Sequence, residues 1–427
     1  LKTLGFRLTG AQRRVTTEVL EDLSRDVPML RLVQGDVGSG KTVIAAFAAI
    51  RAAEHGAQTA LMAPTEILAE QHYLNFVSWL DPLGIPVVLL TGSLNAAERK
   101  RAIAAIESGE ALVAVGTHAL FQSSVSFHRL ALTVVDEQHR FGVHQRMALK
   151  DKGQLPHQLV MTATPIPRTL TMALYADMDV SILDELPAGR QPITTTVVAD
   201  ERRDEVLAHL ATELDAGRQA YWVCPLIEES DALEAASVEG TLPLLEAALP
   251  GRRIGVLHGR MKSGEKARVM AEFKSGHLQL LLATTVVEVG VDVPNATLMV
   301  IENPERMGLA QLHQLRGRVG RGAHASYCVL LYATPLGETS RRRLGAIRES
   351  QDGFKIAEED LNIRGPGDLL GTRQTGEQQF RIADLRTHAH LMPEVIRRGD
   401  ALLEADQATA ARLLGIWAPA DSGHASV

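Results

Sequence analysis

A chain of 427 residues is too long for one hydrophobic core, so two or three domains are expected. Apolar content of 45%, charged content of 22% and a net charge of −7 are ordinary for a folded protein. They speak against a uniformly basic nucleic-acid-coating protein and leave room for a local positive groove.

No apolar run approaches the ~20 residues of a membrane span. Two distant cysteines, Cys224 and Cys328, lack CxxC or histidine partners, which argues against zinc and fits a reducing cytoplasm. No signal-peptide pattern opens the chain. It starts at Leu1 and reaches motif-rich sequence at once, so a fragment of a longer protein is expected.

From about residue 10 to 185, short β-branched runs alternate with helical patterns: "LRLVQ", "TALMAP", "PVVLLTG", "ALVAVGT", "LTVVDE" and "QLVMTAT" read as buried strands. Apolar strands alternating with helices predict a parallel sheet covered on both faces. The first strand runs into Gly35, Asp36, Val37, Gly38, Ser39, Gly40, Lys41 and Thr42, then a helix. This is a P-loop in its proper setting. Its backbone N–H groups suit phosphates. Lys41 is expected on the β/γ-phosphates of ATP, and the Thr42 hydroxyl on Mg²⁺.

"APTEIL" with Pro64 and Thr65, and "GTHAL" with Thr117 and His118, end strands with small or hydroxyl residues. Such turns suit a nucleic-acid backbone, though each alone is as readily a plain turn. "LTVVDEQHRFG" sets Asp136 and Glu137 at a strand's C-terminal end, where open parallel sheets bind ligands. Alone, the pair could cap a helix. The P-loop about 95 residues upstream favours Asp136 helping to hold Mg²⁺ and Glu137 polarising the attacking water. In "MTATPIPRTL", Thr162 and Thr164 could couple hydroxyls to this pair. His139 and His258 singly read as structural.

After a linker around Pro187 and Pro192 the pattern restarts: "TTTVVA", a helix from about Glu201 to Ala216, "QAYWVCPLI", "RIGVLHG", "LQLLLATT", "TLMVIEN" and "ASYCVLLY". His258 in "LHGRM" and Thr284 in "ATTVVEVGVDVPNA" end strands as the earlier turns do. "QLHQLRGRVGRG" gathers Arg316, Arg318 and Arg321 among glycines, as if aimed at something anionic. Arg318 and Arg321 suit an arginine finger supplied to the P-loop domain from the second one. After Thr334 the strands stop. A helical stretch leads into the glycine-rich "RGPGDLLGTRQTGEQQF", then a further helix and a tail expected to be disordered.

These motifs, in this order, resemble superfamily 2 helicases, and in detail the RecG family of bacterial DNA translocases. "APTEILAEQH", "DEQHRFGVHQR", "TATPIPRTL" and "RGPGDLLGTRQTG" carry the likeness over about residues 5 to 390. The resemblance implies two tandem RecA-like P-loop domains, 1–188 and 189–335, and a translocation-motif region, 336–427. It implies that Phe6 and Gln12 read adenine, that Gly290 and Asp292 contact the nucleotide, and that Gln314 joins Arg318 and Arg321 at the interdomain site. It also implies that Arg343, Arg364 and Gln374 link the ATP cycle to duplex movement.

ATP and Mg²⁺ are the implied cofactors. Duplex and branched DNA are the implied partners, with single-stranded DNA-binding protein a further one. A monomer in a bacterial cytoplasm, away from membranes, is implied too. The family's N-terminal wedge domain has no counterpart before residue 5, so a motor without its junction splitter is expected. Two competing readings are the related motor of a transcription-repair coupling factor and a non-catalytic nucleic-acid-binding module. The intact Lys41, Glu137 and Arg321 argue against the second.

Overall fold

The structure is a computed structural model that describes residues 6–122, 124–137, 156–164, 178–187, 190–224, 231–284, 293–364, 388 and 391–417. Contacts divide the chain into two compact units, with both sheets in the first and the chain from Arg364 onward in the second.

The first sheet has seven parallel strands: β1 Leu30–Gly35, β2 Gln58–Met62, β3 Val87–Leu90, β4 Val113–Gly116, β5 Leu130–Asp136, β6 His157–Thr162 and β7 Asp179–Leu183. Their order is β3-β4-β2-β5-β6-β1-β7. Six of them match the apolar runs read from the sequence. The seventh, "DVSIL", is new. It pairs with β1 from Arg31↔Asp179 to Gly35↔Leu183.

The second sheet has six parallel strands: β8 Ile193–Ala199, β9 Gln219–Val223, β10 Ile254–Leu257, β11 Leu280–Ala283, β12 Ala296–Glu302 and β13 Ser326–Tyr332. Their order is β10-β11-β9-β12-β13-β8. Side chains alternate across it. Tyr221, Val223, Met299 and Ile301 enter one core cluster, and Ala220, Trp222, Leu298 and Val300 enter another. Both faces of the inner strands are buried, which is why β9, β11 and β12 read as continuous apolar runs.

Register brings the chemistry to one edge of the first sheet. Gln34 pairs with Thr162, and Asp136 with Met161, so the P-loop, the acidic pair and the TAT turn leave the sheet side by side. Capping sets the flanking helices. Thr9 accepts from the Gln12 N–H at 3.1 Å at the start of helix Gly10–Asp22, and Thr65 accepts from Leu68 N–H at 3.4 Å at the start of helix Glu66–Leu80.

The helix expected from about Glu201 to Ala216 spans Arg203–Asp215, behind a 3₁₀ turn. After β13 come helices Glu338–Glu349 and Gly353–Arg364. The second unit holds helices Met392–Ala405 and Gln407–Trp417, the latter not anticipated. The glycine-rich stretch 365–387 and the tail 418–427 lie outside the described residues. Among the described residues, no helix is long and apolar enough to cross a membrane.

Candidate active site

The loop after β1 turns on glycines. Gly38 and Gly40 have φ of +79° and +86°, a region that costs any other residue. Helix Lys41–Glu54 begins directly after them, so its N-terminal end opens on the loop. Lys41 Nζ donates to the carbonyls of Gly35 at 2.8 Å and Asp36 at 3.1 Å. Burial lowers the pKa of this ammonium, against the pull of Glu137 and Asp136.

Asp136 is the last residue of β5, and its Oδ2 lies 2.8 Å from His72 Nε2 of helix Glu66–Leu80. Burial would raise this carboxyl's pKa. The His72 hydrogen bond, with the His72 and Lys41 charges, outweighs burial and holds it below the ordinary carboxylate value. Glu137 follows with φ of +54°. Its carboxylate accepts from the Ala163 N–H at 3.0 Å and the Thr162 hydroxyl at 3.4 Å. Thr162 thus couples to the pair as expected, whereas Thr164 turns elsewhere. The Thr164 hydroxyl accepts from Gln314 Nε2 at 2.8 Å, which ties the TAT turn to the second sheet's motif.

Gln314 lies on helix Leu309–Arg316. Arg318 and Arg321 follow it and line one cavity of about 200 Å³ with Lys41, Thr42, Asp136 and Glu137. Close approach of the two sheets rests on Gly317, where a Cβ would come within 2.7 Å of Val37 Cβ. Arg190 bridges the same seam, donating to the carbonyls of Val37 and Gly317.

Arg316 does not share its neighbours' surroundings. It is 2% exposed and donates to the carbonyls of Ile347 at 2.6 Å and Ser350 at 2.8 Å. The expectation that all three arginines aim at an anion is corrected here: Arg316 is used up on backbone oxygens and on His313.

The remaining expected residues fall in several places. Phe6 is 46% exposed and meets Trp79 edge-on, with ring centres 6.4 Å apart. Gln12 accepts from Thr9 N–H and donates to Ser39 O, so it braces the P-loop. Pro64 lines the cavity, and Thr65 caps its helix. Thr117 is buried, while His118 is exposed. His258 and Thr284 adjoin through the Thr284 N–H, which donates to Leu257 O at 3.1 Å. Arg343 donates to the carbonyls of Glu305 and Met307, just ahead of the Gln314 helix. Arg364 ends its helix. Gly290, Asp292 and Gln374 lie outside the described residues.

Sequence reading passed over His72, His313 and Arg190. Their spacing gives no signal, because each acts on a partner far away in the chain.

Among the described residues no cluster of three or more acidic, histidine or cysteine side chains could cage a metal. Mg²⁺ needs no such cage, since it keeps water and phosphate oxygens and takes one or two protein ligands. Thr42 and Asp136 on one cavity wall fit that requirement.

Residues 9–173 match the DEAD/DEAH box helicase model, and residues 202–323 the helicase conserved C-terminal domain. A solved structure of Dbp5 from S. cerevisiae bound to RNA and ADP BeF3 shares the fold, with TM-score 0.60 at 18% identity over 80% of this chain and 87% of that one. The fold is that of two tandem RecA-like domains with parallel sheets, the architecture these two models describe.

Residues 350–417 match a third model, ATP-dependent DNA helicase RecG, domain 3, C-terminal. The ATP-dependent DNA helicase RecG of Escherichia coli (strain K12) is 59% identical over 98% of this chain and 61% of its own length. That of Bacillus subtilis (strain 168) is 49% identical over 96% of this chain and 60% of its own. A structure of RecG bound to a three-way DNA junction superposes with TM-score 0.76 at 45% identity, covering 92% of this chain and 51% of that one. The chain belongs to the RecG family and spans about 61% of the length of the curated relatives it matches.

Proposed function

We propose that the chain is the ATP-driven motor of a double-stranded DNA translocase that remodels branched DNA in recombination and repair. The observation that carries this reading is the cavity in which Lys41, Asp136 and Glu137 of the first sheet face Arg318 and Arg321 of the second.

Lys41 exchanges its carbonyl partners for the β/γ-phosphates, which the loop N–H groups and the helix N-terminus also hold. Glu137, fixed at both carboxylate oxygens, orients the attacking water. Arg318 and Arg321 stabilise charge on the transferring phosphoryl group. Thr42 and Asp136 would hold Mg²⁺, which when bound neutralises phosphate charge. Phe6 and Gln12 take the adenine side, and Gly290, Asp292 and Gln314 complete the nucleotide contacts.

Pro64, Thr65, Thr117, His118, His258 and Thr284 sit at strand ends suited to a DNA backbone. Arg343, Arg364 and Gln374 convert the ATP cycle into duplex movement. The domains of this reading are 1–188, 189–335 and 336–427. Its setting is a monomer in a bacterial cytoplasm, with branched DNA and single-stranded DNA-binding protein as partners. The junction in the relative's structure supports branched DNA as substrate.

The test is ATP hydrolysis with no DNA, single strands, duplex and a model fork. Turnover should rise with duplex or fork. Equal turnover in all four conditions would remove the DNA-motor reading.

A further inference from the structure

His313 sits between two residues that fix its protonation. Arg316 Nη2 lies 3.0 Å from His313 Nδ1, and His313 Nε2 lies 2.6 Å from Asp36 Oδ1. A guanidinium only donates, so Nδ1 is the acceptor and the ring's hydrogen is on Nε2, which donates to Asp36. The ring is therefore neutral, and the three side chains form a directed series: Arg316 to His313 to Asp36.

Both ends of the series are anchored. Arg316 also donates to the carbonyls of Ile347 and Ser350, at the joint between helices Glu338–Glu349 and Gly353–Arg364. Asp36 accepts from the Val37 N–H at 2.6 Å, and its own carbonyl accepts from Lys41. Buried charge needs compensation. Arg316 is 2% exposed and His313 3%. Asp36 supplies an opposing carboxylate through the imidazole. The joint is pinned from its other side, where Gln351 bonds the Ile193 N–H at 3.2 Å and its carbonyl at 3.3 Å.

We propose that His313 is a positioning residue that ties the first residue of the nucleotide loop to the joint at 347–351, so that events in the segment beginning there reach the phosphate site through Arg316, His313 and Asp36. This rests on the motor function proposed above, in which the C-terminal segment handles duplex. His313 touches no nucleotide in this scheme. It sets where Asp36, and with it the carbonyl held by Lys41, stands.

The test compares fold-stimulation of ATP turnover by duplex DNA at saturating ATP, each variant measured against its own DNA-free rate. His313→Leu should lower the stimulation about tenfold, the loss expected for a coupling of about 1.4 kcal/mol. His313→Gln carries one donor and one acceptor at similar spacing and should recover most of it. Asp36→Ala cuts the series at its more exposed end and should reproduce the loss, which serves should His313→Leu fail to fold.

Loss in the Leu and Ala variants with recovery in Gln supports the relay. Undiminished stimulation in His313→Leu, or in Asp36→Ala if the former is unfolded, overturns it. So does equal loss in His313→Gln, because the donor–acceptor pattern would then be irrelevant. Absence of stimulation in the unaltered chain would instead sink the motor reading itself.

Discussion

Lys41 rests on two carbonyl oxygens that belong to its own loop, an arrangement a phosphate can replace without moving the lysine far. Lys41→Ala should therefore abolish ATP turnover. Glu137→Gln keeps the shape and removes the negative charge, so ATP should still bind while hydrolysis stops. A Gln variant as fast as the parent would end the role given to Glu137. Arg321→Ala should lower kcat by about 10³-fold or more with ATP affinity little changed, and a loss confined to DNA affinity would move Arg321 to a DNA contact. His72 holds Asp136, the Mg²⁺ ligand of the proposed site, and outer partners of a metal ligand are typically worth about 10–100-fold. His72→Ala should raise the Mg²⁺ concentration needed for tight fluorescent-nucleotide binding.

At this scale the sequence was readable where chemistry is contiguous, as in Gly35 to Thr42. It was silent where partners are remote: His72 and Asp136 are 64 positions apart, and His313 and Asp36 are 277 apart. Arg316 misled because an arginine among glycines looks the same whether it meets phosphate or carbonyl.

Elements were legible when both faces are buried. β9 and β12 read as unbroken apolar runs because Tyr221 and Trp222 serve opposite sides of one sheet. β7 escaped because Asp179 and Val180 are exposed and five residues show no period. The seam between the nucleotide loop and the helix carrying Gln314 tolerates no added atom at Gly317. Gly317→Ala should destabilise by about 1–3 kcal/mol, the usual cost of overpacking, and raise KM for ATP because Val37 must yield. A melting temperature and KM equal to the parent's would show that the seam is looser than its geometry states.

The whole chain carries a charge of −7, yet binding to DNA through localised cations should weaken steeply with salt as counterions are released. Affinity that stays flat from low to moderate salt would remove the groove. Acid should act through Asp36. Burial raises its pKa, but the hydrogen bond from His313, with that from the Val37 N–H and the nearby Arg190 charge, more than reverses this, leaving the folded value below the unfolded one. Its contribution to stability is thus complete above the unfolded pKa, about 3.9, and is lost as pH falls through the lower folded value. Urea unfolding at pH 7 and pH 3 should show a smaller acid-induced loss for Asp36→Asn than for the parent.

Lys41 follows a strand of the first sheet, Arg321 precedes a strand of the second, and both line one cavity. In the proposed motor, hydrolysis is then a measure of separation. A misplacement of about 1 Å in a reacting geometry can cost on the order of a hundredfold in rate. Mechanical load that pries the sheets apart should slow fuel use before it breaks any contact with the track. Such an engine idles when stalled and carries its own tension gauge.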